Sequence, residues 1–292
     1  MHALSAENRP IAIASLFVLV ILALGTGYTL TVQGNASFLS PTYLLQQLQV
    51  GSFLGIVAAG MMLVILMGHI DLSVPWTLAA AAMMATAVGG PLAIPTGLAV
   101  GLLVGLVNGL GVAYLRVPSM IFTLGVNAVM RGLMVMNTGG FAPQTQATDL
   151  MEYLAVGRVL GLPMSLLVWA ALSVLIVLLL QRTRLVLVAA FMICGLCSAL
   201  AGVLLAGYST KAYQGMGDAY LLPAIAAVVI GGTNILGGQG RYLGTVVGAI
   251  LITLLSSVLS VMQMPEAGRQ VIYGSVIIGM LLVYGRSQKV RG

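Results

Sequence analysis

Apolar runs of about twenty residues recur along this chain, with charged side chains mostly confined to the stretches between them, and they leave few folds open. The first, residues 11–30, contains no charged residue at all. A helix of that length rises about 30 Å, the thickness of bilayer hydrocarbon. In that medium every backbone N–H and C=O must be bonded internally, so only helices and closed barrels can span it. The runs do not alternate apolar with polar residues as barrel strands do, which points to helices. Composition agrees: of 292 residues 60% are hydrophobic, twelve are Lys or Arg, and six are Asp or Glu. The net charge of +6 is scattered between the runs, so it reports orientation rather than a groove for nucleic acid.

Further spans are expected at residues 43–67, 74–89, 96–115, 119–136, 162–180, 185–206, 219–231, 242–260 and 270–285. The expected fold is therefore all-α, a polytopic membrane bundle of about ten transmembrane or partly embedded helices forming a single domain over residues 1–292. Both termini are expected to be cytoplasmic. That choice places Arg9, Arg116, Arg182, Arg184, Arg241, Arg286, Lys289 and Arg291 inside and Arg131, Arg158, Lys211 and Arg269 outside.

Polar and glycine-rich stretches interrupt the pattern at definite places. Between residues 223 and 254 two apolar runs flank a turn carrying Gly231, Gly232, Gly237, Gly238, Gly240 and Arg241. Such a turn suits a tight hairpin between membrane helices, and it reads equally as a compact loop without further purpose. Gly97, Gly101, Gly105 and Gly109 form a small-residue stripe for a neighbouring helix, and Gly244 and Gly248 form a shorter one. Gln46, Gln47 and Gln49 make the outer part of the second span polar, so that end should face protein or water. That span closes on Gly68-His69-Ile70-Asp71-Leu72-Ser73, where Asp71 is expected at an aqueous boundary and Ser73 with Pro75 at the start of the next helix. Thr123, Asn127 and Arg131 recur every four residues and share one helix face. Residues 137–160 are the longest polar region, expected to hold amphipathic pieces on the surface.

Several chemistries are missing. There is no Gly-x-x-x-x-Gly-Lys-Ser/Thr sequence, so the chain is not expected to hydrolyse ATP itself. His2 and His69 are the only histidines and belong to no metal-ligand cluster; no metal and no cofactor are expected in this chain. Cys194 and Cys197 read as small core residues. Apart from Asp71, the carboxylates fall in polar segments, which weakens a proton- or sodium-coupled reading. Transport by such a chain would draw its energy from elsewhere.

Three stretches carry a family resemblance. They are residues 68–73, where the family usually reads Gly-Gly-Ile-Asp-Leu-Ser; residues 117–125 with Pro118, followed by Arg131-Gly132-Leu133; and residues 222–244 with the glycine turn. In this order they resemble the permease subunits of bacterial ABC importers for ribose, xylose, galactose and autoinducer-2. The resemblance implies an inner-membrane permease paired with a second, identical or related one. It also implies two cytoplasmic ATPase domains carrying ATP and magnesium, a periplasmic sugar-binding protein, and a monosaccharide substrate. On that reading Gln46, Gln47, Gln49, Asn108, Thr123 and Asn127 are candidates for the substrate pathway, and Arg182 and Arg184 for ATPase coupling. The family usually carries a longer cytoplasmic segment after the position of Arg184, whereas here Leu185-Val186-Leu187 follows at once. Either the chain lacks ordinary ATPase coupling, or residues flanking a longer connection stand joined. A channel-like or regulatory subunit working without an ATPase is the main alternative, and an ion-coupled sugar carrier a further one.

Overall fold

The computed structural model describes residues 9–141, 143, 145–182 and 186–289. Among them the chain forms eleven α-helices and one two-stranded hairpin. Helices α1 (Arg9–Tyr28), α2 (Pro41–Leu66), α3 (Val74–Val88), α4 (Ala93–Leu115) and α5 (Ser119–Thr138) make the first half. The short α6 (Asp149–Val156) and the antiparallel pair β1 (Arg158–Val159) and β2 (Leu162–Pro163) lead into α7 (Met164–Arg182). Helices α8 (Leu187–Ser209), α9 (Leu221–Ile230), α10 (Tyr242–Val261) and α11 (Glu266–Lys289) complete it.

Local sequence explains where these elements begin. Ser40 takes an extended conformation and its side chain accepts a hydrogen bond from the Tyr43 N–H, while Pro41 occupies the first turn, where no N–H is needed. Thr148 caps α6 in the same way, accepting from Met151. Among the described residues, seven helical segments are long and apolar enough to cross a membrane. Helix α3 has 15 residues and α9 has 10. At 1.5 Å per residue they rise about 22 and 15 Å, short of about 30 Å of hydrocarbon, so both are partial crossings sheltered by protein.

Helix α8 is the centre of the bundle, packed against α2, α3, α4 and α6. The glycine stripe on α4 faces it, as its spacing predicts. A Cβ at Gly101 would lie 2.3 Å from the Gly195 carbonyl oxygen, and one at Gly105 2.4 Å from that of Phe191. The backbones of α4 and α8 thus touch directly, and the lost side-chain volume is repaid in close dispersion contact. The shorter stripe on α10 packs on α9, with Gly244 against Gly231 and Gly248 against Ala227.

The bundle has two distinct ends. Pro10 of α1 packs on Gly232, Gly68 beyond α2 packs on Gly237, and Val188 of α8 packs on Gly109 of α4. These contacts gather the glycine turn and the ends of α2 and α4 at one end. At the other, Gly207 of α8 sits against Met151 of α6, and α2 starts beside the close of α10. Helix α6 is an amphipathic piece of the kind expected in residues 137–160, with Met151 and Ala155 buried against the bundle and Leu150, Glu152 and Tyr153 exposed. In the sequence only four residues, 183–186, stand between α7 and α8. Arg182 is the exposed last residue of α7, and Arg184 lies outside the described residues.

Candidate functional site

The chain breaks between α2 and α3, and the three singled-out stretches meet at that break. Helix α2 ends at Leu66, Gly68 turns the chain with φ +79°, and residues 69–73 cross to the start of α3. A broken helix inside a bundle leaves backbone N–H groups that need partners, because the first turn of a helix cannot supply its own. Partners here come both from the break itself and from distant parts of the sequence.

Asp71 supplies the first set. It is fully buried, which corrects its expected place at an aqueous boundary. Its Oδ1 accepts from the Ser73 N–H at 2.9 Å, the Ser73 hydroxyl at 2.6 Å and the Asn108 amide at 3.3 Å. Asn108 also donates to the Ser73 hydroxyl oxygen at 2.7 Å. Ser73 stands before α3, as expected, but its hydroxyl turns to Asp71 rather than to the helix. Thr77, four residues on, donates to the Ser73 carbonyl at 2.8 Å. Burial of a carboxylate is tolerable only with such multiple donors, and here they fix the shape of the break. The Asn108 Oδ1 is buried without a hydrogen-bond partner.

Helix α5 supplies the second set. Thr123 Oγ1 accepts from the Leu72 N–H at 2.9 Å, and Asn127 Oδ1 from the Trp76 N–H at 3.3 Å. Ser119 Oγ accepts, at a longer 3.4 Å, from the Ile70 N–H. The Arg131 guanidinium lies 5.9 Å from the centre of the Trp76 ring. The row Ser119–Thr123–Asn127–Arg131 therefore docks α5 on the opening of α3. Ser119 and Thr77 escaped the sequence reading, although each extends a four-residue spacing that was visible.

The glycine turn closes the site from below. Gly238 N–H donates to the Leu66 carbonyl at 2.9 Å, satisfying an end group of α2. Gly237, at φ +87°, comes so near that a Cβ there would lie 2.6 Å from the Gly68 nitrogen. Asn234 N–H donates to the Gln239 carbonyl at 2.8 Å, and Gly240 packs on the Thr233 side chain. Arg241 stands in extended conformation just before α10. Pro118 precedes α5 with the extended ψ of 127° that ends the previous loop.

The expected pathway residues fall in two places. Asn108, Thr123 and Asn127 are bonded at the break just described. Gln46 is exposed near the start of α2, Gln49 is buried with its amide donating to the Ala155 carbonyl at 3.0 Å, and Gln47 borders a cavity of about 520 Å³ between α2, α9, α10 and α11. Cys194 and Cys197 are buried free thiols, the core role expected from their place inside an apolar helix. Among the described residues no cluster of His, Cys, Asp and Glu is arranged to hold a metal.

Comparison with known proteins agrees with the three stretches. The chain matches the family described as branched-chain amino acid transport system / permease component, over residues 43–185 and 186–283. It is 32% identical over 288 residues to the ribose import permease protein RbsC of Escherichia coli (strain K12), covering 86% of this chain and 90% of the relative. RbsC of Bacillus subtilis (strain 168) is 34% identical over 278 residues, covering 85% and 86%. The autoinducer 2 import system permease protein LsrC of Yersinia pseudotuberculosis serotype O:1b (strain IP 31758) is 29% identical over 264 residues, covering 79% and 74%. No solved structure matches. The family match breaks between residues 185 and 186, in the short connection from α7 to α8.

Proposed function

The chain belongs to this family of transport-system permease components, and from that premise we propose that it is the membrane subunit of an ATP-driven importer for a monosaccharide. The observation that carries the reading is the match over both halves of the bundle, residues 43–185 and 186–283, together with relatives named for ribose and autoinducer 2 import. A permease of this kind needs no catalytic group of its own. Hydrolysis of ATP with magnesium belongs to separate cytoplasmic subunits, and sugar arrives from a periplasmic binding protein. A second, identical or related permease completes the membrane pair.

As a multi-pass inner-membrane protein, the chain is oriented on this reading with the glycine turn inside. Arg9, Arg116, Arg182 and Arg241 belong to that end of the bundle, and Arg158, Lys211 and Arg269 to the other, a distribution favoured by the positive-inside rule. Arg182 then lies on the ATPase side, Arg184 remains a coupling candidate by its sequence position, and Gln46, Gln47 and the buried Gln49 lie toward the periplasmic end. Asn108, Thr123 and Asn127 act on the pathway through the broken helix they hold. Neither relative's name favours a channel-like subunit or an ion-coupled carrier.

The experiment is reconstitution of the copurified complex in vesicles and measurement of labelled D-ribose, D-xylose and D-galactose uptake with and without ATP. Uptake of one of them that requires ATP and the binding protein is expected. Flux that persists without ATP would overturn the importer reading in favour of a channel, and flux that follows an ion gradient would favour the carrier.

A further inference from the structure

We propose that the cavity beside Gln47 is a weak binding vestibule for a neutral polyhydroxylated sugar, a waypoint that rests on the permease reading above. The cavity, about 520 Å³, falls in the size range of small-molecule pockets, about 300–1,000 Å³. Most of the bundle around it is apolar, yet three helices aim polar side chains into this one space.

Their spacing shows that the lining is built by helix faces. Tyr43 and Gln47 are four apart on α2, Thr253, Ser256 or Ser257 and Ser260 follow one face of α10, and Arg269 and Tyr273 are four apart on α11. Such a face is unfavourable against lipid and must meet protein, water or a polar solute. Packing against protein does not exhaust it. The Tyr43 and Ser257 hydroxyls bond each other, and Arg269 Nη1 donates to Ser260 at 2.8 Å, but the Gln47 amide has no partner among the described residues. The Arg269 Nε is also buried without one.

The chemistry of the lining selects the ligand class. Hydroxyls and an amide each donate and accept, as sugar hydroxyls do, so each can exchange a water for a substrate hydroxyl. Tyr43, Tyr220 and Tyr273 border the same space and offer flat apolar faces beside polar tips, suited to the alternating faces of a pyranose or furanose. The two charges present, Arg269 and Glu266, are paired with each other at 2.8 Å. No net charge remains to hold an ion, which argues for a neutral solute. The lining gathers the first half of α2, the close of α10 and the start of α11, at the end of the bundle away from the glycine turn. On α2 the lining runs from Tyr43 to Leu54, so about 18 Å of helix separates it from the turn at Leu66.

The test uses the full-length permease in lipid nanodiscs with Ser256→Cys and a membrane-impermeant methanethiosulfonate. Native Cys194 and Cys197 are buried, so the background reaction is low. Modification is expected, and D-ribose, D-xylose or D-galactose at several times its dissociation constant should slow it about fivefold. The same sugar should leave a cysteine at the exposed hairpin position, Leu160→Cys, unprotected. Ser260→Cys, at an exposed site on the same face, repeats the measurement should the first variant fold poorly. No modification at either cavity position, or equal slowing there and at the hairpin, would overturn the vestibule. Adding Gln47→Leu should remove the protection. Running ATP-dependent uptake by the native complex in parallel separates the two claims. Uptake without protection sinks the vestibule alone, whereas protection without ATP-dependent uptake supports the vestibule and sinks the importer.

Discussion

Asp71 illustrates what a single residue decides here. Its Oδ1 gathers three donors, so Asp71→Ala leaves the Ser73 N–H and the Asn108 amide without that acceptor inside the bundle. A buried donor left unpaired costs about 1–3 kcal/mol, and thermal unfolding in detergent should register a loss of at least that size. Asp71→Asn retains an acceptor oxygen and should cost less. Thr123→Val is expected to lose about 1–3 kcal/mol by the same measurement, because the Leu72 N–H then has no partner. The sequence made Asp71 conspicuous but misplaced it, since a carboxylate beside Gly68 and Pro75 looks like a boundary residue. Ser73 supplies two of the donors that make its burial tolerable, but the third arrives from Asn108, and no local pattern encodes that meeting.

Helices were the most legible level. Runs of apolar residues locate a span because length and hydropathy suffice, and the start of α3 at Val74 and of α10 at Tyr242 fell at the expected residues. Helix α6 was legible only as an amphipathic piece without bounds, because eight residues make too few turns to fix where a helix starts and stops. Partner choice was half legible: the four-residue glycine spacing on α4 announced a close neighbour without saying which. The contact with α8 makes an element-scale prediction. Gly101→Ala puts its Cβ against the Gly195 carbonyl and should destabilise the protein by about 1–3 kcal/mol. Gly125→Ala on α5 meets nothing within 4 Å and should be neutral or stabilise by about 0.5–1 kcal/mol, the usual gain of Ala over Gly in a helix. Melting temperatures of the two variants, measured side by side, check both signs.

For the whole molecule, the two ends of the bundle give the sharpest prediction. Leu236 at the glycine turn is 69% exposed and Leu160 at the β1–β2 hairpin is 99% exposed, and they sit at opposite ends. With the proposed orientation, Leu236→Cys should react with an impermeant thiol reagent only in inverted vesicles, and Leu160→Cys only in right-side-out ones. Reaction of both from one side would refute that orientation. Where α4 meets α8, carbonyl oxygens rest where a methyl group would have to go. Sliding one of these helices past the other by a single turn would drive side chains into main chain, so the pair has one register and keeps it. Helices α4 and α8 must therefore travel as a single rigid strut through any opening or closing cycle. The displacement falls to elements outside that pair such as α5, which touches the bundle mainly through α3 and α4. Fluorophores on α4 and α8 should hold a constant separation while one on α5 moves.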